Sequence, residues 1–207
     1  MAFPAFDTEI FLFFNGMHAP WADKFFWVVT NTWTWLPVYL AAIFFIFRKF
    51  KKKGFWILLT VALIILCTDQ TCNLIKRTVQ RPRPSHTPEL AEDIQLVRQS
   101  NGEYYRGGRY SFPSGHAANT AAFALFLILF FKEHRRWLIP TAIAWSLLLS
   151  YSRLYLGVHY PIDILCGWCV GVFWSCLLSP LCIRLLRRWQ RRRVVEQSSE
   201  NHQPSNI

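Results

Sequence analysis

The sequence predicts an all-α integral membrane protein, a helical bundle of about five transmembrane helices with an additional N-terminal interfacial helix. Three observations support this fold class. Of the 207 residues, 53% are hydrophobic, and apolar runs of membrane-spanning length recur along the chain. These runs have almost no polar face, which a helix on the surface of a soluble protein would need. Basic residues are concentrated beside the ends of the runs.

The predicted spans differ in length. A bilayer core of roughly 30 Å needs about 20 apolar residues in a helix. The third and fourth runs are shorter than this, so each would have to borrow a flanking turn to cross. The predicted spans are 25–47, 55–75, 116–131, 137–151 and 162–186.

The distribution of positive charge indicates how the spans are oriented. Clusters of Lys and Arg at 48–53, 132–136 and 184–193 follow the first, third and fifth spans and hold most of the 23 basic residues. If the spans alternate in direction, all three clusters lie on one side, which the positive-inside rule makes cytoplasmic. The segments 76–113 and 151–161 then face outward. Because the charge flanks apolar spans, we expect a lipid bilayer and no nucleic acid as partner.

The domain organisation is predicted to be simple. Residues 1–189 form one membrane-embedded domain, in which residues 5–18 form a short helix lying on the outer surface. Residues 85–112 form a long polar connection that is typical of a lid or binding loop, and 88–99 could be an amphipathic helix within it. Residues 190–207 are polar and look like a disordered cytoplasmic tail.

The first stretch that suggests chemistry is 76–84, Lys-Arg-Thr-Val-Gln-Arg-Pro-Arg-Pro. A helix would carry Lys76 and Arg83 on one side, about two turns apart, and the prolines would break it and can fold Arg83 back. A basic patch beside a span is expected inside the cell, yet this one falls on the outward side. The exception favours an anion site over a simple juxtamembrane patch.

The second stretch, Pro113-Ser114-Gly115-His116, opens a predicted span. Ser114 is a good N-cap, and Gly115 lets the backbone approach a ligand closely. The start of a helix presents unpaired N–H groups to an anion, and His116 can exchange a proton near pH 7. Taken alone, the tetrapeptide is explained equally well as an ordinary helix cap with a surface histidine.

The third stretch, 152–163, places a histidine and a carboxylate close together. Pro161 fits the first position of a helix, and Asp163 then falls in the first turn, four residues after His159. A carboxylate there can accept from one imidazole nitrogen and leave the other free as a nucleophile. Arg153 adds a cation. A single His beside an Asp is usually structural, so this stretch alone does not decide the matter.

All three stretches lie at the outer ends of predicted spans, so they can converge on one pocket. Cations and backbone N–H groups suit a tetrahedral phosphate and its trigonal-bipyramidal transition state, whose equatorial oxygens carry negative charge. The candidate site residues are Lys76, Arg83, Ser114, Gly115, His116, Arg153, His159 and Asp163.

Together, the stretches resemble the type 2 phosphatidic acid phosphatase superfamily, in its membrane lipid-phosphate phosphatase branch. The match covers roughly residues 76–163, and its three motifs are present in order and complete. They are Lys76…Arg83-Pro84 for Lys-x6-Arg-Pro, Pro113-Ser114-Gly115-His116 for the second motif, and Ser152-Arg153…His159…Asp163 for Ser-Arg-x5-His-x3-Asp.

The resemblance implies a role for each candidate residue. It implies that His159 attacks phosphorus and forms a phosphohistidine, that Asp163 orients His159, and that His116 protonates the leaving group. It also implies a helical bundle with its site near the membrane surface, although many members of the family have six spans. The residues it implies for holding the phosphoryl oxygens are Lys76, Arg83, Ser114, Gly115 and Arg153.

We therefore expect a lipid phosphate or diphosphate phosphatase in a bacterial inner (cell) membrane, with an extracytoplasmic active site and a cytoplasmic C-terminus. We expect no cofactor and no metal, because only Asp69 and Asp163 are acidic near the site and hard cations need several oxygen ligands. Undecaprenyl diphosphate is the first substrate to consider, since a compact outward-facing enzyme suits recycling of a carrier lipid. Phosphatidylglycerol phosphate, phosphatidic acid and a lipid A phosphate are also compatible.

Three other functions fit parts of the sequence. A phosphotransferase would pass the phosphoryl group to a lipid or sugar instead of water. A vanadium haloperoxidase uses a related pocket, but those proteins resemble soluble ones and the predicted spans argue against them. A transporter or anion channel could use the same cations, but it has no need of a His159–Asp163 pair. The sequence predicts no particular oligomeric state.

Overall fold

The computed structural model describes residues 3–99 and 101–200, with side chains up to residue 189. Within these residues the fold is all-α, as predicted, and the only β-type pairings described are two isolated bridges. Short 3-10 turns join several of the seven described α-helices. The helices are α1 Ala5–Asn15, α2 Pro20–Thr30, α3 Leu36–Phe50, α4 Gly54–Val79, α5 Gly115–Phe130, α6 Arg135–Tyr155 and α7 Pro161–Glu200.

The predicted first span, 25–47, is not one helix. Helix α2 ends at Thr30, and the side chain of Asn31 caps a 3-10 turn before α3 begins at Leu36. Pro37 lies in the first turn of α3, where its missing N–H would have no partner in any helix. The prediction of a continuous span is therefore wrong, because Asn31 and Pro37 divide the apolar run into two helices.

Helices α3 and α4 form an antiparallel hairpin around the basic turn Lys51–Lys53. Lys51 has a positive φ of 50°, which ends α3. Gly54 allows α4 to start close to α3, since a Cβ at Gly54 would lie 2.9 Å from the ring of Phe47. Further along the hairpin, the buried side chains Ile46 and Ile57 belong to the same apolar cluster.

Two helical stretches of the described chain, Thr32–Val79 and Pro161–Trp189, are long and apolar enough to cross a membrane. The first includes the α3–α4 hairpin. A third candidate is the pair Gly115–Phe130 and Lys132–Tyr155, which is bent by 101° at its break. Many large apolar side chains on these helices are exposed, as expected of helices that face lipid. The count of five spans and their orientation remain predictions.

Helix α5 packs tightly against α7, and two glycines make this possible. A Cβ at Gly167 would lie 2.4 Å from the carbonyl oxygen of Ser114, and a Cβ at Gly171 would lie 2.0 Å from that of Ala118. Glycines four residues apart let two helix backbones touch. At the end of this contact the Ser114 amide donates to the Asp163 carbonyl oxygen at 2.8 Å. The starts of α5 and α7 are therefore fixed against each other.

Between α4 and α5 the described chain is irregular, and the helix considered for 88–99 does not form. Only the 3-10 turn Pro88–Leu90 occurs there. The reason lies in α1: the side chain of Asn15 accepts from the Gln95 amide at 2.8 Å and donates to the Gln95 carbonyl oxygen at 3.1 Å. Both backbone groups that a helix would need at Gln95 are thus bound to another element.

The sequence also predicts a helix at 5–18 and a disordered tail at 190–207. Helix α1 forms within the predicted 5–18, with the apolar side chains Phe6 and Phe13 exposed and Phe11 buried. Helix α7 continues to Glu200, so the tail predicted at 190–207 begins within a helix. The rest of that tail, 201–207, lies outside the described residues.

Candidate active site

The pair His159 and Asp163 is buried where the loop after α6 meets the first turn of α7. His159 is 1% exposed, and its Nδ1 lies 3.5 Å from Oδ2 of Asp163. The Tyr160 amide donates to the same Oδ2 at 2.8 Å, so the carboxylate is held in place. Nδ1 is therefore the ring nitrogen beside the carboxylate, and Nε2 is the nitrogen on the other side of the ring.

His159 has the electrostatic surroundings of a nucleophile. Burial, followed by the positive charges of Arg83, Arg153 and Lys76, holds its pKa well below the ordinary value of 6.5. An imidazole with a lowered pKa is neutral at pH 7, and only the neutral form has a free electron pair. The same three cations are those predicted to hold phosphate, so the structure gathers them around His159.

Arg83 is aimed into the site by the segment that follows α4. Its amide donates to the Arg109 carbonyl oxygen at 3.3 Å and its Nε to that of Tyr110 at 3.1 Å. Its Nη1 is buried and has no hydrogen-bond partner among the described residues. Burial, with the charge of Arg153, lowers the pKa of Arg83 to about 10, so it stays protonated at pH 7. An unpaired buried cation is expected to bind an anion.

A glycine makes room for the Arg83 guanidinium. Gly107 has a positive φ of 66°, which favours glycine, and a Cβ there would lie 2.5 Å from Nη1 of Arg83. Gly108, the next residue, is much less restricted, because its Cβ would lie 4.0 Å from Nη2. The segment predicted as a lid or binding loop therefore supplies one wall of the site.

Arg153 lies in the last turn of α6 and is 2% exposed. Its guanidinium donates to the hydroxyl of Thr30, at the end of α2, and to that of Tyr105 at 3.3 Å. Its Nε is buried without a partner in the part of the chain that the structure describes. Two hydroxyls therefore orient Arg153 and leave some of its donors for an anion.

Lys76, in the last turn of α4, lies close to Gly115. A Cβ on Gly115 would be 4.0 Å from Nζ of Lys76 and 3.9 Å from Oδ1 of Asp69. Asp69 accepts from Nδ2 of Asn119 at 2.8 Å, so it bonds to a neighbouring helix. Because Gly115 has no side chain, its backbone beside Lys76 stays open to a ligand.

The start of α5 has the predicted cap. The Ser114 hydroxyl accepts from the Ala117 amide at 3.4 Å, and Gly115 is the first residue of the helix. His116 follows in the first turn, and its residue surface is exposed. Positive charge from the helix dipole is therefore directed toward the same region as Lys76.

His116 also lines a cavity of about 560 Å³ that extends from the site between α3, α4, α5 and α6. The other walls are mostly apolar, and the polar side chains of Asn119 and Thr120 also line the cavity. Apolar lining residues include Tyr39, Ile43, Val61, Ile65, Phe123 and Leu149. A cavity of this size and lining suits part of a lipid.

Residues 53–188 match the PAP2 superfamily, and this range includes all three motif stretches. The chain belongs to the PAP2 superfamily. This is the superfamily that the motifs of the sequence resemble, and the PAP2 relatives support the expectation of a phosphoric monoester hydrolase.

Two sequence relatives illustrate the range of PAP2 substrates. A lipid A 4'-phosphatase of Bacteroides thetaiotaomicron is 38% identical over 186 residues, which cover 89% of this chain and 80% of the relative. An undecaprenyl-diphosphatase of Sulfolobus acidocaldarius is 29% identical over 147 residues, covering 71% of this chain and 62% of the relative.

Two solved PAP2 structures share the fold. Aquifex aeolicus LpxE has a TM-score of 0.63 at 27% identity, covering 84% of this chain and 94% of that one. The transmembrane PAP2 type phosphatidylglycerolphosphate phosphatase from Bacillus subtilis has a TM-score of 0.61 at 26% identity, covering 86% and 85%. These relatives and the apolar helices indicate an integral membrane protein.

Of two charged residues outside the predicted PAP2 site, Arg81 contacts it directly and Asp7 contacts Arg81. Arg81 donates from Nη1 to Oδ1 of Asp163 at 2.8 Å and from Nη2 to Oδ2 of Asp7 at 2.7 Å. The other oxygen of Asp7 accepts from the Ile162 amide at 2.9 Å. Arg81 stands within the first motif stretch and could have been singled out there, whereas nothing near Asp7 in the sequence indicates its partner.

The donor set for a metal is sparse. Among residues 3–99 and 101–189, no three His, Cys, Asp or Glu side chains come together as a metal site would require. Asp69 and Asp163 are each engaged in hydrogen bonds with protein donors. Metal independence stays a prediction, which activity in the presence of a chelator will test.

Proposed function

We propose that the protein is a metal-independent lipid phosphate phosphatase that works through a phosphohistidine on His159 at the outer face of a bacterial inner membrane. The observation that carries the proposal is the buried His159, with Asp163 behind Nδ1 and three cations around the ring. This arrangement keeps the imidazole neutral while attracting a dianionic phosphate. A residue placed only for structure would have no use for three surrounding positive charges.

The first half of the reaction transfers the phosphoryl group to the protein. The electron pair on Nε2 of His159 forms a bond to phosphorus while the bond from phosphorus to the lipid oxygen breaks. That oxygen takes a proton from protonated His116 and leaves as an alcohol. Lys76, Arg83 and Arg153 balance the negative charge on the equatorial oxygens, and Asp163 stabilises the positive charge that develops on the His159 ring.

The second half releases inorganic phosphate. His116, now neutral, accepts a proton from a water molecule, whose oxygen bonds to phosphorus as the bond from phosphorus to Nε2 breaks. His159 returns to its neutral form and His116 to its protonated form. For a diphosphate substrate the same steps apply, with a lipid monophosphate as the leaving group.

A lipid A phosphate is the substrate that we favour. The 38% identity to a lipid A 4'-phosphatase supports it, and so do the polar groups beside His116. Asn119 lines the cavity, and its Oδ1 is a buried acceptor that no described residue satisfies. A sugar carries hydroxyl donors next to its phosphate, so a sugar phosphate can pair with this acceptor.

Undecaprenyl diphosphate, the first substrate considered from the sequence, is the second candidate. It is favoured by the similarity to an undecaprenyl-diphosphatase over 71% of this chain. An isoprenoid diphosphate also places an apolar chain directly beside the phosphate, as the cavity next to His116 would allow. It offers no hydroxyl to Asn119, which distinguishes it from the sugar phosphate.

The experiment compares phosphate release by the purified protein from lipid A, undecaprenyl diphosphate, phosphatidylglycerol phosphate and phosphatidic acid. We expect release in the presence of EDTA, inhibition by vanadate, and the highest kcat/KM with lipid A. Reactions in ¹⁸O-labelled water distinguish a hydrolase, which labels the phosphate, from a phosphotransferase. Anion flux through proteoliposomes without release from any lipid would contradict the proposal and favour a transporter or channel.

A further inference from the structure

A chain of buried charges links the first helix to the candidate nucleophile. Asp7, Arg81 and Asp163 form this chain, and we refer to it as the Asp7–Arg81–Asp163 bridge. The two carboxylate side chains are completely buried and the guanidinium is 6% exposed. Both ion pairs are short, at 2.7 and 2.8 Å, and each uses a different nitrogen of Arg81. Bridges of this kind are costly to desolvate, so a buried one needs an explanation.

The guanidinium of Arg81 is fixed by two aromatic rings as well as by the carboxylates. Its Cζ lies 3.7 Å from the ring centroid of Phe3 and 3.7 Å from that of Tyr160. The Arg81 side chain therefore has little freedom to change partner or angle. Tyr160 follows His159 directly, and its amide donates to Asp163. Tyr160 therefore holds both Arg81, through its ring, and Asp163, through its amide.

The charges of the bridge do not cancel. Two carboxylates share one guanidinium, which leaves about one negative charge to stabilise a cation on the His159 ring. With Asp7 neutral, Arg81 would compensate Asp163 alone, and Asp163 would then stabilise an imidazolium less well. Asp7 also accepts from the Ile162 amide, which is one of the unpaired N–H groups at the start of α7.

We propose that Asp7 and Arg81 are positioning residues that set how strongly Asp163 supports His159. This inference rests on the proposed function, in which His159 is the nucleophile. It assigns α1 a part in the chemistry, although α1 lies outside the range that matches the PAP2 superfamily. A bridge that only anchored α1 would alter stability and would leave the His159 ring unchanged.

The test uses the full-length protein in lipid nanodiscs and the variant Asp7→Asn, which keeps the side-chain shape and an acceptor for the Ile162 amide. We expect kcat to fall about tenfold, as for the loss of one charge-assisted hydrogen bond, with KM within about twofold. Glu9→Gln is the matched control, because Glu9 is an exposed acid on the same helix, and it should leave kcat unchanged. Arg81→Lys should retain more activity than Arg81→Met.

Two further measurements distinguish a positioning role from a structural one. In the Asp163→Asn background, Asp7→Asn should lower kcat no further, because the two residues act as a unit. The ¹⁵N resonances of the His159 ring should shift in Asp7→Asn and stay in place in Glu9→Gln. An unchanged kcat, an additive loss in the double variant, or unmoved His159 resonances would overturn the proposal.

The resonance measurement also separates this inference from the proposed function. If the wild-type protein releases no phosphate from any lipid, the proposed function fails. The ¹⁵N shifts still report whether Asp7 acts on the His159 ring, since they need no turnover. Shifted resonances would then support the bridge alone, and unmoved resonances would overturn both.

Discussion

Nδ1 of His159 lies 3.5 Å from Oδ2 of Asp163, and both side chains are buried. The Tyr160 amide fixes that same oxygen, and Arg81 fixes the other. Both oxygens of the carboxylate are therefore restrained before any substrate binds. A restrained carboxylate beside a neutral imidazole can stabilise the cation that forms during phosphoryl transfer.

The first prediction concerns this pair. His159→Ala should abolish phosphate release. Asp163→Asn should lower kcat by about 10³ to 10⁴, as removal of the orienting carboxylate does in Ser-His-Asp enzymes. Initial rates on a lipid phosphate and acid-labile labelling of the protein by ³²P-substrate measure both effects. His86→Ala is the control, because His86 is exposed. Substantial turnover in His159→Ala would exclude this residue as the nucleophile.

The starts of the two helices that carry the candidate histidines could be predicted from the sequence because their signals are local. Pro113 and Ser114 indicate where α5 begins, and Pro161 indicates where α7 begins; the structure confirms both starts. His116, His159 and Asp163 each stand two positions from one of these signals. These residues therefore lie at or just before the starts of α5 and α7, and the packing of the two helices brings them together.

What the sequence did not predict depends on pairings between distant residues. Asp7 and Arg81 are 74 positions apart, and Asn15 and Gln95 are 80 apart, so no periodicity relates either pair. The break in the predicted first span had a local signal at Asn31, but averaging hydropathy over the run conceals one polar residue. The glycines that bring α7 onto α5 stand four residues apart in the sequence, but this spacing does not indicate which helix they contact.

The second prediction is the pH dependence of the reaction. His159 reacts only when neutral, and its pKa is held well below 6.5 by burial and by Arg83, Arg153 and Lys76. Activity that depends on neutral His159 should therefore persist at pH 6 and decline only as the pH falls through that lowered pKa. The other titratable groups facing His159 are Asp163 and His116.

A variant tests the cause of this pH dependence. Arg83→Gln removes one of the positive charges, so the pKa of His159 should rise and the acid limb of kcat/KM should move to higher pH. Arg77→Gln is the control, since Arg77 is a cation in the last turn of α4 and is not among the charges that lower this pKa. An acid limb that stays in place in Arg83→Gln would show that burial alone controls His159.

The third prediction concerns the wall beside Arg83. Gly107→Ala would place a Cβ 2.5 Å from Nη1 of Arg83 at a φ of 66°, so the guanidinium has to move. We expect KM for the lipid phosphate to rise about tenfold, because a bidentate Arg–phosphate contact depends on geometry. Gly108→Ala is the control, since its Cβ would meet nothing closer than 4.0 Å. Equal effects of the two substitutions would point to general destabilisation of the segment.

The fourth prediction tests whether the cavity beside His116 holds the lipid chain. Ala42 lines the cavity on α3, and Ala42→Trp would fill part of its 560 Å³. The KM for a long-chain lipid phosphate should rise at least tenfold, while kcat/KM for a short, water-soluble phosphate ester should stay the same, because the phosphate site is untouched. The two substrates are compared in the same detergent micelles.

Leu66→Trp is the matched control for this fourth prediction. Leu66 is 54% exposed on α4 and does not line the cavity, so the added ring should meet lipid rather than substrate. Rates with both substrates should then equal those of the wild type. If Ala42→Trp slows both substrates alike, the ring has disturbed the phosphate site through α4 and α5. If it slows neither, the lipid chain lies elsewhere, and the substrate approaches His116 from another side.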